Sequence, residues 1–188
     1  MRIITGKYGR RKFNAKIPAG VRPTAENVRE SIFNILSNLV DFDDKIVADI
    51  CAGTGAMGFE ALSRGSVHCF FIEKNKKVVD FILSAATYIG IATEDHSIIH
   101  QDAIKFLSDN VGQNSLKFDI IFFDPPYNSP ITNELLNLGT TKLNISGFII
   151  IEYASNKELA IPRNLVLTTE RLFGDRKSTR LNSSHRIR

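Results

Sequence analysis

From Ile46 onward, five short apolar runs (46–50, 67–73, 97–100, 119–123 and 147–153) alternate with four segments whose apolar residues recur at helical spacing (56–64, 75–89, 102–109 and 131–138). Short strands that alternate with helices bury both faces of a sheet only when the strands run mostly parallel and helices cover each side. The pattern therefore predicts an α/β fold with a doubly wound, mostly parallel sheet. In such sheets, ligands bind beyond the carboxyl ends of the strands, near the point where strand order reverses. Chemistry-bearing residues are to be sought there, and each of the first four runs ends in a motif or an acid.

The fourth run is the sharpest: Asp119-Ile120-Ile121-Phe122-Phe123 passes directly into Asp124-Pro125-Pro126-Tyr127. Pro126 fixes its own φ and biases Pro125 toward the extended region, and neither proline offers an N–H to nearby carbonyls. The Asp124 carboxylate and the Pro125 carbonyl are then free to face outward as acceptors beside the Tyr127 ring. Two acceptors and a flat aromatic surface suit a planar group bearing an NH2, such as a nucleobase with an exocyclic amine. The plain alternative is a strand end with a half-buried tyrosine lid.

The first run ends in Asp49-Ile50-Cys51-Ala52-Gly53-Thr54-Gly55-Ala56-Met57-Gly58, whose Gly-x-Gly-x-x-Gly core permits a tight turn and close approach to a ligand before a helix begins. Alone, it fits a dinucleotide, another adenosine-bearing cofactor, or a bare strand-to-helix turn. The second run ends in Glu73, a carboxylate placed to accept from both hydroxyls of a ribose. Asp102 follows the third run, where it is able to accept from an adenine amine, to cap the helix from Ala103, or to do both.

The 188 residues allow one domain with a real core, and the charge is unevenly divided. Residues 1–25 hold seven basic side chains and no acid, whereas 26–175 hold 12 basic against 20 acidic ones. Arg2 to Ile17, with Gly6 and Gly9 between scattered apolar residues, reads as a β-hairpin arm or loose ribbon ending near residue 23. Its Lys7, Arg10, Arg11 and Lys12, with Arg22, form a basic surface suited to phosphates, or else a solvated hairpin without a partner. Thr24 is placed to N-cap a helix carrying Val28, Ile32, Ile35 and Leu36; Arg29 on that helix points at substrate or simply at solvent. Cys51 and Cys69 suit a reducing compartment, the four histidines show no ligand spacing, and no metal is expected. No apolar run reaches a membrane span and no signal-peptide core is present, so the expected location is cytoplasmic. A monomer is expected.

Taken together, the motifs resemble those of class I S-adenosylmethionine-dependent methyltransferases, a Rossmann-like fold. More narrowly, Arg2-Ile3-Ile4-Thr5-Gly6, Arg22-Pro23-Thr24, Val28 to Leu36, Gly58 to Gly65 and Asp124-Pro125-Pro126-Tyr127 look like the bacterial RsmD-type enzymes that methylate the N2 amine of a guanine in 16S ribosomal RNA. The resemblance covers roughly residues 1–175. It implies that Asp49, Gly53, Thr54 and Gly55 line the methionine end of S-adenosylmethionine, that Glu73 holds the ribose, and that Asp102 with Ala103 holds the adenine edge. It further implies that Asp124, Pro125 and Tyr127 hold the target base, with Arg22 near 16S rRNA or the small ribosomal subunit. Other readings stay open: a DNA adenine-N6 methyltransferase, which would need a larger recognition insertion; a nicotinamide dehydrogenase, which leaves Asp124 to Tyr127 unexplained; and a non-catalytic RNA-binding assembly factor. Residues 176–188 depart from the family's final apolar strand. They are rich in Ser and Arg without alternation, so they read as a cloning, frameshift or assembly scar, or as a basic RNA-binding tail; if the final strand is absent, an interior sheet position is left empty.

Overall fold

A computed structural model describes residues 1–21, 23–109, 115–125 and 129–183. Helices α1 (Glu26–Leu36), α2 (Ala56–Ser63), α3 (Lys76–Ile89), α4 (Ala103–Ser108) and α5 (Thr132–Thr140) alternate with β1 (Ile46–Ile50), β2 (His68–Glu73), β3 (His96–His100), β4 (Phe118–Phe123) and β5 (Leu143–Ala154). Two further strands, β6 (Leu165–Phe173) and β7 (Arg176–Ser183), complete a seven-stranded sheet of order β3-β2-β1-β4-β5-β7-β6. Strands β1 to β5 pair in parallel, and β7 lies antiparallel between β5 and β6. The order reverses between β1 and β4, which places the carboxyl ends of those two strands at the switch point.

Burial explains why β1 and β4 read as continuous apolar runs. One core forms where α1, α2 and α3 cover the sheet, around Phe33, Phe59, Phe71 and Phe122. The other forms under α4 and α5, around Phe118, Phe123, Leu136 and Ile149. Successive side chains of a strand enter opposite faces, so a strand covered twice needs apolar residues at both parities.

The N-terminal arm is a hairpin held by one bridge, Arg2 to Lys12, with flanking bonds from Ile3 N to Arg11 O (3.0 Å) and Phe13 N to Met1 O (2.8 Å). It is docked, not free. Ile3, Tyr8 and Phe13 enter the core, and the buried Glu60 of α2 accepts from Ile4 N (2.8 Å) and Thr5 N (3.3 Å). The expected cap of α1 is different: Ala25 precedes the helix with no side-chain cap bond, and Thr24 is engaged elsewhere.

The final strand whose absence would leave the sheet open is present: Arg176–Ser183 forms β7 and pairs along its length with both neighbours, while residues 184–188 lie outside the described residues. Backbone pairing on two sides supplies the ladder bonds whatever the side chains are. The polar sequence leaves its mark, however. Ser178, Thr179 and Arg180 are buried, and Arg176 and Arg180 lie within the sheet instead of presenting a basic tail to RNA. Arg180 donates from Nε to Thr168 Oγ1 (3.1 Å) and from Nη2 to Thr169 Oγ1 (2.8 Å), but its Nη1 has no partner among the described residues. No carboxylate faces it in these contacts, and burial lowers its pKa. Replacing a buried unpaired cation with an apolar residue of similar volume removes a desolvation cost, so Arg180→Leu is expected to stabilise the fold by about 1–3 kcal/mol. Urea denaturation checks this through a higher midpoint at unchanged slope.

Candidate active site

The glycine motif folds back on itself between β1 and α2. Cys51, Gly53 and Gly55 all adopt positive φ (62°, 52° and 71°), and Gly55 is the residue before α2. Gly58 has a different role. A Cβ there would collide with the Phe71 ring and the Cys69 sulfur, so its absence lets α2 lie directly on β2. Asp49, buried at the end of β1, accepts from Gly58 N at 2.9 Å and thereby ties strand to helix. Burial pushes its carboxyl pKa up to about 8, only partly offset by that bond. Burial likewise pushes the Cys51 thiol up to about 12, which makes it a poor nucleophile.

These elements open onto one cavity of about 420 Å³ across the carboxyl ends of the strands. Asp49, Gly53, Thr54, Glu73, Asp102, Ala103, Asp124 and Pro125 all line it. Gly55 does not. It packs behind the turn against Phe59 and Phe71, so its part is to shape the loop. Glu73 accepts from Gly53 N (3.1 Å) through one oxygen and from Asn75 N (2.9 Å) through the other. Asp102 caps α4, its Oδ1 accepting from Ile104 N (2.9 Å) and Lys105 N (3.3 Å), and it also borders the cavity.

Asp124 follows β4 and lines the same cavity, next to the end of β1, where Phe123 pairs with Ile50. Its Oδ2 accepts from Thr24 Oγ1 at 3.0 Å, and its Oδ1 is paired with the Arg176 guanidinium. Arg176 Nε also lies 3.4 Å from Glu152 Oε2, which makes Glu152 a second carboxylate beside Asp124. Phe123 pairs with Ile151, so Asp124, just past β4, follows beside Glu152 of β5. Burial and the Asp124 charge raise the Glu152 pKa, while Arg176 opposes them. Sequence reasoning missed Thr24, Glu152 and Arg176 as neighbours of Asp124. Glu152 did leave a signal, a lone acid inside an otherwise apolar run.

Among the described residues, the basic side chains of the arm do not line the cavity. Arg11 donates to Ile89 O at the carboxyl end of α3 and lies over the Tyr8 ring, 5.3 Å from its centroid. That is the end of a 14-residue helix remote from the cavity, roughly 20 Å along its axis. Lys7 lies over the same ring at 5.1 Å, and its N–H bonds Ser63 O at the end of α2. Arg29 is 3% exposed and donates to Arg2 O, so it joins helix to arm and points at neither substrate nor solvent. Tyr127, Pro126 and Arg22 lie outside the described residues. Among the described residues, no group of three His, Cys, Asp or Glu is placed to hold a metal ion, and no helix is long and apolar enough to cross a membrane.

Comparison with known proteins agrees with this layout. The family model described as "Conserved hypothetical protein 95" matches residues 1–181. The ribosomal RNA small subunit methyltransferase D of Haemophilus influenzae is 31% identical over 93% of this chain and 89% of its own length. A Bacillus subtilis relative named putative rRNA methyltransferase YlbH is 32% identical over 93% of this chain and 94% of its own. The solved structure of the putative methyltransferase yhhF from Escherichia coli superposes with a TM-score of 0.84 at 28% identity, covering 97% of both chains. The chain belongs to the Conserved hypothetical protein 95 family, the RsmD-type group of class I methyltransferases that its motifs resemble.

Proposed function

We propose that the protein transfers a methyl group from S-adenosylmethionine to the exocyclic N2 amine of a guanine in small-subunit ribosomal RNA. One observation carries the reading: Asp124 and Pro125 share a single cavity with the glycine turn and with Glu73. The names of the relatives support the RNA substrate. The cavity's donor set fits the cofactor, because Asp49 suits a cationic methionine end, Glu73 a vicinal diol, and Asp102 an adenine amine. When bound, that cofactor supplies a methyl carbon made electrophilic by its sulfonium.

The chain's own residues then have to present a poor nucleophile. The lone pair of a guanine amine is delocalised into the ring, so its N–H groups must be held out of the ring plane. Asp124 and the Pro125 carbonyl accept those N–H groups and aim the nitrogen across the cavity. Both contacts strengthen as positive charge develops on nitrogen, which is where stabilisation lowers the barrier. The departing proton passes to the Asp124 carboxylate or to solvent. A base inside a helix cannot reach this site, so the target is unpaired or flipped out, with Tyr127 as its stacking surface.

Labelled-methyl transfer to bulk RNA and to small ribosomal subunits from a methylation-deficient source, followed by nucleoside analysis, tests the reading. N2-methylguanosine is the expected product; methyladenosine, or no product on either substrate, would overturn it.

Cofactor binding should also be linked to pH through Asp49. A cation bound beside it favours the ionised carboxylate, so its raised pKa falls on binding and a proton is released. Affinity should therefore rise with pH up to about 8 and level off above that value. Calorimetry at pH 7 in buffers of different ionisation enthalpy measures the proton. Asp49→Asn should abolish the linkage.

Along the arm, Arg10 and Lys12 are better tests of RNA contact than Arg11, which is occupied at the end of α3. If both touch phosphates, Arg10→Gln with Lys12→Gln should reduce the slope of log affinity against log salt by about 1.5–2. An unchanged slope would return the arm to a structural role.

A further inference from the structure

We propose that Thr24 is a positioning residue for the reaction, holding one oxygen of Asp124 so that the other is presented to the target amine; the inference rests on the reading of Asp124 given above. Thr24 precedes α1 by two residues, where a threonine ordinarily spends its hydroxyl on the helix's own unsatisfied N–H groups. Here it does not. Ala25 occupies the cap position without a side-chain bond, and the Thr24 hydroxyl donates across 100 residues of sequence to Asp124 Oδ2 at 3.0 Å. Thr24 also lines the cavity itself, together with Ala19, Gly20 and Val21 of the segment that leads out of the arm.

The consequence is geometric. The terminal torsion of an aspartate is broad, so a carboxylate at the rim of a cavity samples many planes unless a partner fixes it. The Thr24 hydroxyl on Oδ2 fixes that plane together with the Arg176 guanidinium on Oδ1, and the second lone pair of Oδ1 is then the acceptor for a substrate N–H. In this structure Oδ1 accepts from the Arg176 guanidinium, an N–H donor on the oxygen that Thr24 does not hold. Because in-line transfer depends steeply on alignment, and a misplacement near 1 Å costs about a hundredfold, a loosely held Asp124 should slow the chemical step and leave cofactor binding alone. The same bond ties the catalytic acid to the end of the arm. The acid is held in place by the segment that also walls the cavity.

Thr24→Val, Thr24→Ser, Asp124→Asn and the double variant Thr24→Val with Asp124→Asn separate the outcomes, each made in the full chain. The readouts are kcat at saturating RNA and cofactor, and the Kd for S-adenosylmethionine. Thr24→Val should lower kcat about 10- to 100-fold with unchanged Kd. Thr24→Ser, which keeps the hydroxyl, should recover kcat to within a few-fold of the parent. In the Asp124→Asn background Thr24→Val should cost nothing further, because the two residues act as one unit. Parental kcat in Thr24→Val alongside an inactive Asp124→Asn overturns the role of Thr24 and leaves the reading of Asp124 intact. Equal losses in the Val and Ser variants, or a parallel rise in Kd, overturn it too, since either marks a purely structural residue. Full activity in Asp124→Asn removes Asp124 from the mechanism, and the inference with it.

Discussion

Asp124→Ala is expected to bind S-adenosylmethionine as tightly as the parent protein and to lose methyl transfer by about a thousandfold or more. The split follows from where Asp124 stands. Its side chain bonds Thr24 and Arg176 and not the glycine turn or Glu73, so its removal leaves the hydrogen bonds of the groups assigned to the cofactor in place. What is lost is the acceptor that turns a delocalised amine toward the methyl carbon, together with the negative charge that stabilises the developing cation. The fold should survive the change: Arg176 loses one carboxylate but keeps Glu152 at 3.4 Å, and the Asp124 backbone is unaltered. Single-turnover transfer of a labelled methyl group, with calorimetry on the same preparation, measures both halves. Parental rates in the variant would assign the acceptor role elsewhere, with Glu152 the nearest carboxylate on the neighbouring strand.

The sheet through β5 was legible because its residues obey one strong rule, two-sided burial of short apolar runs broken by glycine turns and acids. Every strand and helix read from Ile46 to Tyr153 lies within a few residues of its place in the structure. The cavity was legible for the same reason, since the parallel order brings Asp49, Glu73, Asp102 and Asp124 to one edge whatever the loops do. Three features were not. β7 carries no alternation, and only its two neighbours explain why Arg176–Ser183 is a strand. Thr24 looks like a cap by local rules, yet a partner 100 residues away takes its hydroxyl. Arg29 looks exposed by helical spacing, yet the docked arm covers it and supplies Arg2 O as acceptor. In each case a long-range contact overrides a local preference, and no window of neighbouring residues contains that contact.

Glu73→Ala should act on the opposite half of the site, weakening S-adenosylmethionine binding by about a hundredfold while leaving kcat at saturating cofactor close to the parent value. Hydrogen bonds to a charged group are worth roughly 1.5–3 kcal/mol each, so two ribose hydroxyls on this half-buried carboxylate, taken at the low end, lose about 3 kcal/mol, slightly more than that factor. The side chain also accepts from Gly53 N and Asn75 N, so alanine frees the glycine turn as well as the ribose. Glu73→Gln separates the two contributions, because an amide keeps one acceptor oxygen and the length of the side chain. Its Kd should fall between those of the parent and the alanine variant, nearer the alanine value, since the charge that strengthens both ribose bonds is gone. If glutamine restores parental affinity, the turn and not the ribose is what Glu73 serves. If both variants bind as the parent does, the vicinal diol sits elsewhere in the cavity. A fall in kcat as large as the rise in Kd would mean that the cofactor, once bound, is misaligned with Asp124, because the glycine turn that Glu73 braces sets the position of the methionine end.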